Sequence, residues 1–225
     1  MSKIAIVTGA GTWVGRRVSE VLSKEGIIVY LIGRRKDKLV ETQNFCSGNT
    51  EVLQCDVSDP LAVEKAFKVV EEKHGRLDVL FNNAGIGVPA QSIDEMPFEN
   101  WKSVVDINLN GMFLCAKYAF ALMRKQSPQG GRIINNGSVS SVTPRPGSIP
   151  YTATKHAVTG MTKTISLDGR KYDILSTTGI SHLWSAFLTK RQLFNHNKYI
   201  SKKQRFIPRR SPSYFRAHRC FRKSL

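Results

Sequence analysis

The stretch Lys3-Ile4-Ala5-Ile6-Val7-Thr8-Gly9-Ala10-Gly11-Thr12-Trp13-Val14-Gly15 sets the reading of the whole chain. Residues 3–7 are mostly apolar and rich in β-branched side chains, and they run straight into Thr8-Gly9-Ala10-Gly11. A short apolar run that ends in glycines marks a buried strand entering a tight turn. From 13 to 24, Val14, Val18, Val21 and Leu22 recur at helical spacing, and Gly26 stands where a helix would stop. The opening unit is therefore strand, glycine turn, helix.

Outward from this unit the alternation repeats. Strands are expected at 27–32, 51–55, 77–81 and 132–136, with helices at 36–45, 60–74, 101–125 and 151–168 between or after them. Strands separated by helices of this length imply right-handed crossovers and a parallel sheet covered on both faces. The expected fold class is α/β, with a doubly wound parallel sheet flanked by helices. In such sheets a ligand lies beyond the carboxyl ends of the strands, where the strand order changes direction. After Asp173 the alternation fails, so the chain divides into a folded domain over 1–174 and an atypical tail over 175–225.

A chain of 225 residues with 41% hydrophobic and 23% charged residues has the length and composition of one soluble domain. No stretch approaches the roughly 18 apolar residues needed to cross a bilayer, and the N-terminus lacks the pattern of a secretory signal. The expectation is a cytoplasmic protein with no membrane partner. Cys46, Cys55, Cys115 and Cys220 lie far apart without a CxxC pair, which favours buried reduced thiols over a metal site or a disulfide framework. The net charge of +17 is uneven: residues 1–174 hold 22 Lys+Arg and all 17 Asp+Glu, whereas residues 175–225 hold 12 Lys+Arg and no acid. Nucleic acid is therefore not the expected partner of the folded domain.

Further motifs fall at the ends of the expected strands. Thr8-Gly9-Ala10-Gly11-Thr12-Trp13-Val14-Gly15 is followed by Asn82-Asn83-Ala84-Gly85, by Asn108 in Asn108-Leu109-Asn110-Gly111, by Ser138, and, thirteen residues later, by Tyr151-Thr152-Ala153-Thr154-Lys155. Taken in order over residues 3–170, they resemble the TGxxxGxG, NNAG, helix asparagine, serine and YxxxK motifs of the short-chain dehydrogenases/reductases. The resemblance implies a Rossmann-like dinucleotide-binding catalytic domain over 1–174 and a small-molecule carbonyl or alcohol substrate. It also implies self-association through the family's last strand and adjacent helix.

Tyr151 and Lys155 are four apart, so on a helix they share a face. A phenol ionises near pH 10, and a neighbouring ammonium favours the phenolate and brings proton transfer toward working pH. Tyr151 is thus the expected proton donor to a carbonyl oxygen, and Ser138 the residue that holds the same oxygen. The resemblance adds that Lys155 binds the nicotinamide ribose and that Asn108 holds a water leading from Lys155 to solvent. Cofactor contacts are expected from Thr8, Gly9, Gly11, Val14 and Gly15 at the first turn, Asp56 and Val57 at the adenine, Asn83, Ala84 and Gly85 at the strand end, and Tyr151 and Lys155. At the end of strand two, Gly33 stands where an NAD-preferring relative carries a carboxylate, and Arg34 offers a planar fork to a 2′-phosphate. NADP is expected over NAD.

Two departures stand out. Trp13 occupies the second glycine of the first motif, where a side chain obstructs close approach to phosphates. After Asp173, the family's continuation has no counterpart beyond a start at 174–178, so the last strand is expected to be lacking. An altered C-terminus explains a tail without acids. The alternative is a basic arm with interleaved aromatics such as Trp184, Tyr199 and Phe215 that binds polyanions. The alternative to an active oxidoreductase is a non-catalytic member that keeps the fold, or a basic-tailed binding protein.

Overall fold

The computed structural model describes residues 2–180. The element order is β1 Ile4–Thr8, α1 Trp13–Lys24, β2 Ile28–Gly33, α2 Lys36–Phe45, β3 Thr50–Gln54, α3 Pro60–His74 and β4 Val79–Asn82. Then come α4 Phe98–Val105, α5 Met112–Lys125, β5 Gly131–Gly137, α6 Ile149–Gly169 and β6 Ile174–Ile180. The strands form one six-stranded parallel sheet in the order β3-β2-β1-β4-β5-β6. Crossovers leave β1 in one direction through β2 and β3, and in the other through β4 and β5. The boundary between β1 and β4 is therefore the switch point at which an open α/β sheet forms its crevice.

The central strands are buried on both faces. Every residue of β1 is buried, as is every residue of β4, which explains their continuous apolar runs in place of alternation. Ile4, Ile6, Tyr30, Leu80 and Ile133 meet Phe67, Cys115, Ala119 and Met123 from the helices on one side in the main core. Helix ends follow local chemistry: Asp59 caps α3 by accepting from the Leu61 N–H at 2.9 Å, Pro60 fills its first turn, and Gly75 ends it at φ 64°.

Three expectations need correction. The helix expected over 101–125 begins at Phe98 and is interrupted by a π-helical turn, Asp106–Gly111, that separates α4 from α5. The strands are displaced by one or two residues from the sequence reading. The sheet also runs past the boundary drawn at 174, because all seven residues of β6 pair with β5 from Gly131↔Ile174 to Gly137↔Ile180. The readings of the basic arm, Cys220 and the missing last strand fall on residues 181–225 and lie outside the described residues. Cys55 and Cys115 are buried free thiols and Cys46 is half-buried; burial pushes the Cys55 thiol up to about 11. Among the described residues, no helix is long and apolar enough to cross a membrane.

Candidate active site

A cleft of about 450 Å³ opens at the carboxyl ends of the strands, within the range of about 300–1,000 Å³ found for small-molecule sites. Its floor is the turn between β1 and α1. Gly9 takes φ 64°, and a Cβ on Gly15 would lie 2.1 Å from the Gly9 carbonyl oxygen, so the first turn of α1 packs directly against the turn. Thr12 precedes α1 without a side-chain cap, and the first turn carries no acid. The N–H groups at this helix end are left for an anion. Arg16 fixes the turn from behind, donating to the Gly11 carbonyl at 2.9 Å and pairing with Glu41 of α2 at 2.9 Å.

The expected cofactor residues divide into two groups. Gly9, Gly11, Val14, Gly33, Arg34, Asp56, Val57, Asn83, Ala84, Gly85, Tyr151 and Lys155 line the cleft. Thr8 and Gly15 do not; they build it. The buried Thr8 hydroxyl accepts from the N–H groups of Asn83 at 2.9 Å and Ala84 at 3.0 Å, stitching the end of β1 to that of β4. Asp56 is held by Ser58, whose N–H and hydroxyl both donate to Oδ1 at 3.0 and 2.7 Å.

The expected catalytic residues are likewise spread. Tyr151 and Lys155 meet on α6, with the Lys155 Nζ 5.4 Å from the Tyr151 ring centroid. Lys155 is 3% exposed, donates to the Asn136 carbonyl at 2.7 Å, and is pushed down from 10.5 to about 8 by burial. Ser138 sits just past β5, where its hydroxyl accepts from the Ser140 N–H at 3.1 Å; the short 3₁₀ turn it caps packs on α6. Asn108 lies within the π-helical turn and is fully buried. Its Oδ1 accepts from the Ile86 N–H at 2.7 Å and its Nδ2 donates to the Ile86 carbonyl at 2.9 Å. The side-chain amide thus braces the segment after β4, and Ile86 forms part of the cleft wall.

Trp13 adopts a backbone that glycine favours: φ is 49°, in the left-handed region, where a side chain costs about 1–2 kcal/mol. Its indole is 89% exposed and lines the cleft. Substituting Trp13→Gly is expected to tighten binding of a nicotinamide dinucleotide about tenfold, equivalent to ~1.4 kcal/mol, by clearing the approach to the turn. Folding stability is expected to change little, because relief of backbone strain is offset by the entropy of glycine in the unfolded chain. Titration by cofactor fluorescence, parent against variant, checks this; equal dissociation constants would refute obstruction by the indole.

The sequence reading missed Asn136, a cleft-lining residue, and the buried ladder beside it. Thr8 donates to Asn82, Asn82 to Asn135 at 3.2 Å, and Asn135 to Thr162 of α6 at 2.9 Å. The available signal was a repetition: both β4 and β5 end an apolar run in two asparagines.

The model of the short-chain dehydrogenase family matches residues 3–180. The chain belongs to this family. It is 38% identical over 169 residues to a 3β-hydroxysteroid dehydrogenase of Mediterraneibacter gnavus, covering 74% of this chain and 60% of that protein. It is 35% identical over 168 residues to a meso-2,3-butanediol dehydrogenase of Serratia marcescens, covering 74% and 65%. A crystal structure of a 3-ketoacyl-(acyl-carrier-protein) reductase from Brucella melitensis complexed with NADH superposes with a TM-score of 0.75 at 26% identity, over 79% of this chain and 75% of that one. The match spans about three-fifths of the two dehydrogenases. Within this family member, the cleft at the carboxyl ends of the strands is lined by the glycine turn and by Trp13.

Proposed function

We propose that this chain binds NADP and interconverts a ketone and a secondary alcohol by hydride transfer. The convergence of the uncapped glycine turn with Tyr151 and Lys155 in one cleft carries the reading. A dinucleotide suits these residues because the turn before α1 has no side-chain cap or first-turn acid and offers its N–H groups to a pyrophosphate, and Gly9 and Gly15 let α1 and the segment after β4 pack tightly around that turn, where a Cβ would meet Ala84 or the Gly9 carbonyl. Gly9, Gly11 and Val14 would hold the pyrophosphate, Asp56 and Val57 the adenine, and Asn83, Ala84 and Gly85 the adenosine side. When bound, the nicotinamide donates or accepts a hydride at the substrate carbon.

The proton is the protein's part of the chemistry. The Tyr151 hydroxyl gives a proton to the carbonyl oxygen in reduction and takes it back in oxidation, while the Ser138 hydroxyl donates a hydrogen bond to the same oxygen. The Lys155 ammonium, 5.4 Å from the Tyr151 ring centroid, would donate to the ribose hydroxyls. Since burial alone has lowered Lys155 to about 8, its charge depends on pH within the working range.

Preference for NADP rests on the end of β2. Gly33 supplies no carboxylate there to repel a 2′-phosphate, and Arg34, Arg35 and Lys38 line that part of the cleft. The Arg34–Asp56 pair is 3.9 Å long with both side chains well exposed, so it holds Arg34 only weakly. Arg34→Asp is expected to reverse a preference for NADPH over NADH by tenfold or more, about 1.4 kcal/mol per factor of ten.

Trp13 supports the opposing reading, a member that keeps the fold without catalysis. One experiment decides between them: purified chain is titrated with NADPH and NADH and then assayed on a panel of ketones. NADPH binding with turnover is expected. Failure to bind either cofactor, in the parent and in Trp13→Gly alike, would overturn the proposal; recovery in the variant alone would assign this chain to the non-catalytic reading.

A further inference from the structure

β4 and β5 both carry paired asparagines near their cleft ends: Asn82 closes β4 with Asn83 just beyond it, and Asn135-Asn136 precede Gly137 at the end of β5. The inner members lock the sheet from within: Asn82 Nδ2 donates to Asn135 Oδ1 at 3.2 Å and to the Met112 carbonyl at 2.7 Å. The outer members serve another purpose. Backbone pairing of β4 with β5 ends at Asn82 opposite Asn135, so toward β4 the ladder stops short of Asn136. There its side chain replaces the ladder, with Nδ2 donating to Asn83 Oδ1 at 2.8 Å. Asn83 Nδ2 in turn donates to the carbonyls of Thr8 at 3.0 Å and Gly9 at 3.4 Å. The Asn136 carbonyl accepts from the Lys155 Nζ at 2.7 Å. A continuous path of hydrogen bonds thus joins the glycine turn to the buried ammonium.

This path is kept at a cost. Asn83 has committed its Nδ2 to two carbonyls and so turns its Oδ1 toward Asn136, which must answer with its own Nδ2. Among the described residues, that orientation leaves the Asn136 Oδ1 buried without a protein hydrogen-bond partner, in a residue only 9% exposed. An apolar side chain of the same size would avoid the penalty of an unpaired buried acceptor. Local disagreements of this kind concentrate where a site demands them, and Asn136 lines the cleft.

We infer that Asn136 is a positioning residue, whose amide bridge to Asn83 holds Lys155 at a set place relative to the glycine turn. The inference rests on the reading of this cleft as a dinucleotide site, whose two ends the bridge keeps in register. If the bridge is cut, the Asn136 carbonyl is released on its β4 side and its bond to Nζ loosens. Loss of an acceptor that favours the charged form lowers the ionisation midpoint of the amine.

Asn136→Leu keeps the branched four-atom shape of the side chain, in a somewhat larger volume, and removes the bridge. The ionisation of Lys155 is followed in the full chain, without cofactor, by its ¹³Cε nuclear magnetic resonance signal, assigned by its loss in Lys155→Met. Tyr151 faces the ammonium from one turn earlier on α6, so parent and variant are compared in a Tyr151→Phe background that removes the phenol's own ionisation. The expected result is a Lys155 midpoint about one pH unit lower in the variant. A midpoint that stays or rises overturns the inference, whatever happens to the melting temperature, because a bridge that merely braces the strand moves stability alone. Should Asn136→Leu fail to fold, Asn136→Ser, too short to reach Asn83, takes its place under the same criterion. NADPH titration of the parent separates the two levels: absence of binding counts against the cofactor reading, while the lysine midpoint still decides the role of Asn136.

Discussion

Replacing Tyr151 with phenylalanine is expected to lower kcat for ketone reduction by about 10²–10⁴-fold, the usual contribution of a positioned general acid, while NADPH affinity changes far less. The substitution removes one hydroxyl and leaves the ring that stands 5.4 Å from the Lys155 Nζ. Among the described residues the Tyr151 hydroxyl makes no protein hydrogen bond, so its removal leaves no buried partner unsatisfied and the fold is expected to persist. A loss confined to kcat is the signature of an interaction made only in the transition state. Steady-state kinetics on the most active ketone of a panel, with NADPH binding measured separately, checks the result. Turnover equal to that of the parent would remove Tyr151 from the reaction.

Lys155→Met is expected to abolish turnover and yet raise folding stability near neutral pH, by up to about 3 kcal/mol. The ammonium is 3% exposed and donates to one carbonyl, that of Asn136, and burial lowers it from 10.5 to about 8. The unfolded chain therefore binds more protons than the folded one between about pH 8 and 10.5. Stability rises with pH wherever the unfolded state holds more protons, so this lysine weakens the fold fully below pH 8 and ceases to do so as pH climbs through that window. In Lys155→Met this rise is absent, and the two proteins converge at the alkaline end. Urea unfolding of both proteins across that range checks the sign. A variant less stable than the parent at neutral pH would mean that the bond to Asn136 outweighs the cost of burying the charge. The pattern is that of a functional group retained against the interest of the fold.

Much of this site is legible before any coordinates. Gly9 and Gly15 mark the turn because φ 64° favours a residue without Cβ and a position 2.1 Å from a carbonyl demands one, and these demands are local. Arg34 declares itself by following a strand end that lacks a carboxylate. The π-helical turn at Asn108 was not legible, since residues 101–125 keep helical periodicity whether or not a widened turn interrupts them. β6 was legible only as a start at 174–178, for another reason. Its sequence, ILSTTGI, reads as a polar segment until β5 lies beside it; Ile174 and Ser176 are then buried and its threonines sit well in a pleated strand.

Sequence alone determined the order of strands and helices, the parallel sheet, the glycine turn and the family, because hydrophobic period and turn chemistry act between near neighbours in the chain. Only the tertiary structure decided which of these residues touch. It sent Thr8 and Asn108 into bracing roles, turned the Trp13 indole outward on a glycine-like backbone, and buried Lys155 against a carbonyl of Asn136. Hydrogen bonds such as Asn136 to Asn83 join positions 53 apart in sequence. Their existence depends on where the folded sheet ends two strands side by side, and no local pattern encodes that.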